Sequence, residues 1–286
     1  MRYRFLLFPG MGLVHLLLFL FTYVRKKDAR ILPLLLSNIG FAHMLEYVIF
    51  NIFRSYRYKP GLLQNKHFDN MLGAMVSQSV VVPAAATFLT AFRIGKLGRA
   101  GYTVLLALSE RLFIRLGLFR NYWWRTIYTL LLVPIGFWVS DQWYRLLGGS
   151  RRPAVVRAAV LLLSAGSFYT NAKFLLAVWL DTGLFRTHVV RNRYRDHFIG
   201  NIMYIAGMAP LAILPAIWPS VPLAGAVLLC MHAADQLLYR LRILRGPGWV
   251  VYSLLPLHVG AMLLARYVDR LLPKYDTIHT KKGNEG

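Results

Sequence analysis

Two histidine–carboxylate pairs stand out in a chain otherwise dominated by apolar residues: His43 with Glu46, and His232 with Asp235. In each pair the spacing is three, which puts both side chains on one face of a helix. Four such groups brought together would have the donor set of a zinc or iron site. The alternative is that each histidine hydrogen-bonds its neighbouring carboxylate inside a packed bundle. Neither segment carries a further histidine at ligand spacing, so the second reading is preferred, and no metal or other cofactor is expected.

A third carboxylate, Glu110, is followed by Arg111 and by Arg115 four residues further on. Near the centre of a helix in lipid each such charge costs about 2.5–3.5 kcal/mol, while an apolar residue returns only about 0.3–0.6 kcal/mol. This segment must therefore face protein, pair its charges or line a wet cavity, with Arg115 far enough along to snorkel. Asn70 and Ser77, seven apart, share a face, with Gln78 close by and Asn201 as a loose counterpart. They form a second polar set, suited to interhelical hydrogen bonds worth about 0.6 kcal/mol each or to lining a solute path.

Marks of known intramembrane catalysis are missing. The chain has no His-x-x-His-His set, no His-Glu-x-x-His zinc site and no Gly-x-Ser-x-Gly nucleophile turn. Glu110-Arg111…Arg115 faintly resembles the Glu-Glu-x-x-x-Arg of an intramembrane protease group but lacks the second glutamate. Ser150-Arg-Arg-Pro153 is too short to imply a phosphatase. Cys230 stands alone, which excludes an internal disulfide and a cysteine metal knuckle. No catalytic residue is assigned.

These residues must be held by helices in lipid. Hydrophobic residues make up 57% of the chain and charged ones 16%, a balance too apolar for a soluble domain of 286 residues. The apolar residues come in blocks near the roughly 20 needed to cross a bilayer, and in lipid only a helix or a closed barrel satisfies its own backbone. Nine spans are expected, at about 5–24, 31–53, 68–92, 101–119, 126–147, 155–181, 198–218, 222–244 and 249–269. The first follows Met1-Arg-Tyr-Arg4, contains Pro9 and Gly10 and ends in Arg25-Lys26-Lys27 without a small-residue cleavage site. It is expected to be a retained span. The net charge of +23 sits in short loops, where anionic lipid headgroups are the partner; no nucleic-acid motif accompanies it. Basic residues divide evenly between the two faces, so orientation is left open. Trp123, Trp124, Trp143, Tyr144, Trp218 and Trp249 fall near span ends, as an aromatic belt does.

The two halves resemble one another. Leu34-Leu-Leu-Ser37 recurs as Leu161-Leu-Leu-Ser164, and His67-Phe-Asp-Asn70 before Pro83 recurs loosely as His197-Phe-Ile-Gly-Asn201 before Pro215. Glu110-Arg-Leu-Phe-Ile-Arg115 matches Asp235-Gln-Leu-Leu-Tyr-Arg240, followed in turn by Trp124 and Trp249 and by Tyr128 and Tyr252. Their ordered succession points to duplication. Four helices per copy restore direction, so the copies run parallel about an axis along the membrane normal, an arrangement found in some transporters. The expected organisation is an all-α polytopic bundle: an N-terminal helix (1–29), a first four-helix repeat (30–150), a second (151–272) and a disordered basic tail (273–286). The first helix, with Leu6-Leu-Phe-Pro9, also resembles the fourth helix of the unit around Pro134 and Pro256. In this register Lys173 occupies the place of Glu46, and the two are expected to form an ion pair near the axis.

The segments Asp69-Asn70-x-x-Gly73-Ala74-x-x-Ser77-Gln78 and Trp123-Trp124-x-Thr126-x-Tyr128-Thr129 resemble an uncharacterised group of small polytopic membrane proteins associated with spore-forming Gram-positive bacteria. The resemblance covers about residues 30–147. It implies a multi-pass protein of a bacterial plasma membrane and carries no assigned activity. The functional expectation is a carrier of a small solute or a protein that handles anionic lipid. The alternative is a non-catalytic scaffold binding another membrane protein, with an unfamiliar intramembrane enzyme third. A continuous cavity reaching Glu110, Asp235 or Glu46 favours the carrier; a dry bundle with those charges paired favours the scaffold.

Overall fold

The computed structural model describes residues 6–149, 154–181 and 184–272. The opening Met1–Arg4, the Ser150–Pro153 run and the tail from 273 lie outside the described residues. Nine long helices account for most of the rest: α1 (Leu7–Lys26), α2 (Ile31–Ile52), α3 (Lys66–Ala91), α4 (Lys96–Arg115), α5 (Thr126–Gly148), α6 (Ala154–Trp179), α7 (Arg193–Ile217), α8 (Val221–Arg240) and α9 (Val250–Leu271). Seven of them are long and apolar enough to cross a membrane; α4 and α5 are not. In α4 the reason is charge, since Lys96, Arg99, Glu110, Arg111 and Arg115 all lie within it. The expected span at 101–119 puts Glu110 near its middle. The helix runs instead from Lys96 to Arg115, so Glu110 lies within the last two turns, with Arg111 and Arg115 exposed. The insertion cost of central charges is thereby relieved.

Polar residues set the helix starts that hydropathy alone does not reveal. The Asn65 side chain accepts from the His67 and Phe68 amides and starts α3. Asp69, on the first turn, accepts from the amides of Gly61, Leu62 and Leu63 at 2.7–3.0 Å and pins the preceding loop. The same devices recur at the same spacing in α7. Asn192 accepts from the Tyr194 and Arg195 amides, and Asp196 accepts from Thr187, His188 and Val190.

Short extended segments link the helices within each half. Strands β1 (Tyr56–Tyr58) and β2 (Phe119–Asn121) pair antiparallel, with Arg57 opposite Arg120. In the second half a single bridge joins Phe185 and Leu244. The Lys59 amide donates to the Leu118 carbonyl at 2.7 Å, as the Arg186 amide does to Ile243. Each extended segment lies against a glycine: a Cβ on Gly73 would stand 2.3 Å from Tyr58 Cβ, and one on Gly200 would stand 2.6 Å from Phe185 Cβ. Asn70 Oδ1 accepts the Tyr58 amide, and His197 Nδ1 accepts that of Phe185. These contacts correct the expected register. Asn65, Asp69, Asn70 and Gly73 make contacts like those of Asn192, Asp196, His197 and Gly200, so the contact that Asn70 makes is made in the second half by His197 and not by the expected Asn201. Capping and clamping side chains, not the chance His-Phe dipeptide, hold equivalent positions.

Helices α2 and α6 lie along one another between the halves. Gly40 faces Leu163 so closely that a Cβ on it would stand only 2.7 Å from the leucine Cδ2, and Ser167 Oγ donates to the Leu36 carbonyl at 3.2 Å. At one end Arg30 reaches Tyr144 and Asp28, and in the other half Arg157 pairs with Asp269 at 2.6 Å. Asp28, in the loop between α1 and α2, is subject to burial that would raise its pKa, but the hydrogen bonds from Arg30 and Tyr144 outweigh it and hold the carboxyl at about 2. Helix α1 packs along α3 and reaches α4 through His15 and Tyr102, 2.8 Å apart.

Candidate functional site

Glu46 lies where α2 changes character: the six residues after it, Tyr47–Ile52, form a π-helical stretch. Opposite, α3 has its own π-helical stretch, Val76–Val81, which carries Ser77 and Gln78. Such widened turns re-aim side chains and are frequent at functional sites. The corresponding helices of the second half, α6 and α7, are regular throughout. Glu46 is buried. Its Oε2 accepts from the Tyr56 hydroxyl at 2.5 Å and from Gln78 Nε2 at 3.0 Å, while its Oε1 is buried without a partner. Burial and then the Glu46 charge push the Tyr56 hydroxyl well above the usual tyrosine range, keeping it a donor.

Glu110 reaches the same space from α4. Its carboxylate accepts from Thr126 Oγ1 at 2.9 Å and from Thr129 Oγ1, and Trp124 Nε1 donates to Thr129 at 3.1 Å. Trp124 is thus part of this wall and not of the aromatic belt to which its position near a span end assigns it. Trp143 and Tyr144 also turn inward, onto Phe41 and onto Asp28 with Arg30. Trp123, Trp218 and Trp249 are exposed.

Between these carboxylates and the interior of the first half lies a cavity of about 450 Å³. Glu46, Gln78, Ser77, Glu110, Thr129, Tyr56 and Tyr58 give it a polar, aromatic end; Leu132, Val133, Val139, Val81 and Ala86 are among its apolar walls. Asn38 closes the far side, donating to Thr87 and Ser140 at 3.1 and 3.0 Å. Leu45 of α2 and Ile135 of α5 also line it and are 50% and 53% exposed. They mark an apolar mouth between those two helices, facing outward from the bundle.

In the second half buried polar side chains pack against one another. Asp235, which answers to Glu110, accepts from the Tyr204 hydroxyl at 2.8 Å and lies 2.7 Å from His258 Nε2. His258 Nδ1 is 2.9 Å from the Tyr169 hydroxyl; a neutral ring that donates through Nε2 and accepts at Nδ1 satisfies both contacts. Tyr169, Asp235 and His258 are fully buried. Lys173 Nζ lies 3.8 Å from the Tyr204 ring centre and 5.0 Å from that of Phe185, and it has no hydrogen-bond partner.

Several expected partnerships are replaced. Glu46 and Lys173 form no ion pair: each is turned into its own half, one to Tyr56 and Gln78 and the other into an aromatic box. His43 does not meet Glu46; its Nε2 lies 3.1 Å from Ser79 Oγ and 3.3 Å from Asn171 Nδ2, joining α2, α3 and α6. His232 does not meet Asp235; it lies 3.3 Å from Gln236 and beside Tyr252. Residues three apart on a helix still diverge by about 60°, and neighbouring helices offer better-aligned partners. Among the described residues no three His, Cys, Asp or Glu side chains converge as metal ligands do. Asn201 keeps a buried, unpartnered Oδ1 on α7, away from the first-half cavity.

Tyr56, Tyr58, Tyr169, Tyr204 and His258 are not among the site residues expected from sequence. Thr126, Thr129 and Trp124 stand in the Trp-Trp-x-Thr-x-Tyr-Thr segment, the one local signal that points to them. No known family model, curated protein or solved structure matches this chain.

Proposed function

We propose that this chain is a multi-pass membrane protein that takes up a small amphiphilic molecule from the lipid and holds or carries it in the cavity of its first half. One observation carries the reading. A cavity of about 450 Å³, apolar over most of its wall, is lined at one end by Glu46, whose second carboxylate oxygen is buried with no protein partner. An unpaired buried acceptor is costly, and a ligand donor is the group that would answer it. The apolar mouth between α2 and α5 suits entry from the acyl-chain region rather than from water. Pockets of this composition, largely apolar with a few convergent polar groups, are the usual form of small-molecule sites.

The same proposal takes the two halves as tandem copies, nine spans in all, with α1 added to eight. Recurrence of cap, clamp, glycine and bridge at equal spacing supports it. On this reading the second copy is a closed structural partner and the first the working one. The basic loops hold the assembly against anionic headgroups, as in a bacterial plasma membrane.

The test is extraction of the purified protein with organic solvent, wild type against Gly136→Leu. Gly136 lines the cavity, and a Cβ there meets nothing within 4 Å, so the first carbon of a leucine side chain enters open space. Wild type should yield a bound amphiphile near one per chain, and the variant should not. Identical extracts from the two, with no stoichiometric species, would shift the assignment to a scaffold that binds another membrane protein.

A further inference from the structure

The chemical class of the ligand follows from comparing the two halves, and this step rests on the binding reading above. The cavity is lined by two carboxylates, Glu46 and Glu110, and by no lysine, arginine or histidine. Glu110 has hydroxyl donors on both oxygens; Glu46 keeps Oε1 free and buried. Tyr56, Tyr58, Phe119, Phe113 and Trp124 stand around the same end. Aromatic rings and two carboxylates thus share one end of the cavity.

The second half shows a box of this kind occupied. At the position of Glu46 the chain has Lys173, whose amine lies over the Tyr204 face and against Phe185, within electrostatic reach of Asp235. Tyr204 answers to Ser77, Tyr169 to Ala42 and His258 to Val133, so larger side chains take up what is open volume in the first half. The second half therefore supplies its own nitrogen head to an aromatic box with one carboxylate, and its own side chains as the body. The first half has the box, two carboxylates and an apolar space, and lacks both the nitrogen and the body.

We infer that the ligand of the first half is an organic monocation, a protonated amine or quaternary ammonium on an apolar body, whose head sits between Glu46, Glu110 and the ring faces of Tyr56, Tyr58 and Trp124. Aromatic faces attract such heads, and more strongly where water is excluded. A buried carboxylate with no cation beside it otherwise bears its desolvation unrelieved. An inorganic ion would leave most of the 450 Å³ unfilled.

The experiment uses the full chain in nanodiscs of neutral lipid, with radiolabelled 4-phenylbutyl-trimethylammonium as probe and its uncharged carbon isostere, in which a quaternary carbon replaces the nitrogen, as control. The cation should bind saturably, one per chain, about tenfold or more tighter than the isostere. Glu46→Gln should erase that preference, Gly136→Leu should abolish binding of both, and Lys173→Met should change neither. Equal binding of cation and isostere, both lost in Gly136→Leu, would overturn the charge assignment while leaving the cavity reading intact. Binding of neither probe to a folded wild type, or displacement of the cation by millimolar sodium or potassium alone, would also overturn it. Thermal unfolding of each variant shows whether it is folded, and Glu110→Gln serves as a second charge-removing variant if Glu46→Gln is not.

Discussion

A buried carboxylate behaves differently according to what surrounds it, and Glu46 and Asp235 are the two cases in this molecule. Asp235 is fully buried, with Tyr204 and His258 directed at both oxygens. Removing it leaves a hydroxyl and an imidazole unsatisfied in the core, a change that costs about 3–5 kcal/mol where a buried hydrogen-bonded charge is broken. Glu46 has one satisfied oxygen and one free, so the amide introduced by Glu46→Gln keeps an acceptor for Tyr56 and puts an amide nitrogen where an oxygen already lacked a partner. Thermal unfolding in detergent should therefore separate them. Asp235→Ala is expected to lower Tm by roughly 6–20 °C, at about 2–4 °C per kcal/mol for a chain of this size, and Glu46→Gln to leave it within a few degrees. Equal losses would mean that Glu46 is as structural as Asp235, and that the free oxygen is not kept for a ligand.

Helices here are positioned by what happens at their ends and at two glycines. The β1–β2 strand pair carries Tyr56 and Tyr58 into the cavity only because Tyr58 can lie directly on Gly73. A methyl group at Gly73 has no room, since the atoms it would strike are Cβ and ring carbons close to the strand backbone. Overpacking of this kind costs about 1–3 kcal/mol. Gly73→Ala should push strand β1 off α3 and free the Glu46 carboxylate from Tyr56; quenching of Trp124 fluorescence by a lipid-borne quencher should rise, whereas a variant with unchanged quenching and Tm would show that the strand gives way at no cost. Most of the helices are legible in the sequence, because apolar runs of spanning length leave lipid few other solutions. Their starts are less so: α3 and α7 begin with Lys66-His67 and Arg193-Tyr194-Arg195, polar turns whose hydropathy says loop and whose caps say helix. The strand pair leaves no mark at all, since three-residue strands carry no periodic pattern. Of the site, Glu46, Glu110, Ser77 and Gln78 are visible as polar residues in apolar segments. Tyr204 and His258 are not, because what marks them is a contact between helices 54 residues apart in the chain.

At the scale of the whole molecule, the two halves use like devices around unlike interiors, and the proposed duplication sets their residues in register. Cap, clamp, bridge and packing glycine are shared between the halves; the interior polar residues are not, with Lys173, Tyr204, Tyr169 and His258 where the first half has Glu46, Ser77, Ala42 and Val133. A closed half of this kind gives the open half a rigid wall, since α6 lies along α2 and Glu46 is carried on α2. The seam depends on small residues in reciprocal places: Gly40 under Leu163, and Ser167 donating to Leu36. Small residues let helices approach closely in lipid, where association rests on packing and hydrogen bonds rather than on the hydrophobic effect. If each half is a folding unit, residues 1–149 and 150–286 made as separate chains should find one another and co-purify in mild detergent, and the pair should bind the same ligand as the intact protein. Gly40→Leu places atoms where Leu163 Cβ and its backbone Cα already stand, 2.9 and 3.3 Å from a single added carbon. At about 1–3 kcal/mol of overpacking, the affinity between halves should fall roughly five- to hundredfold, read by pull-down on a tag at one end. Halves that co-purify as well with Gly40→Leu as without it would place the join elsewhere, and Glu46 would then owe its position to α3 and the β1–β2 pair rather than to the second half behind it.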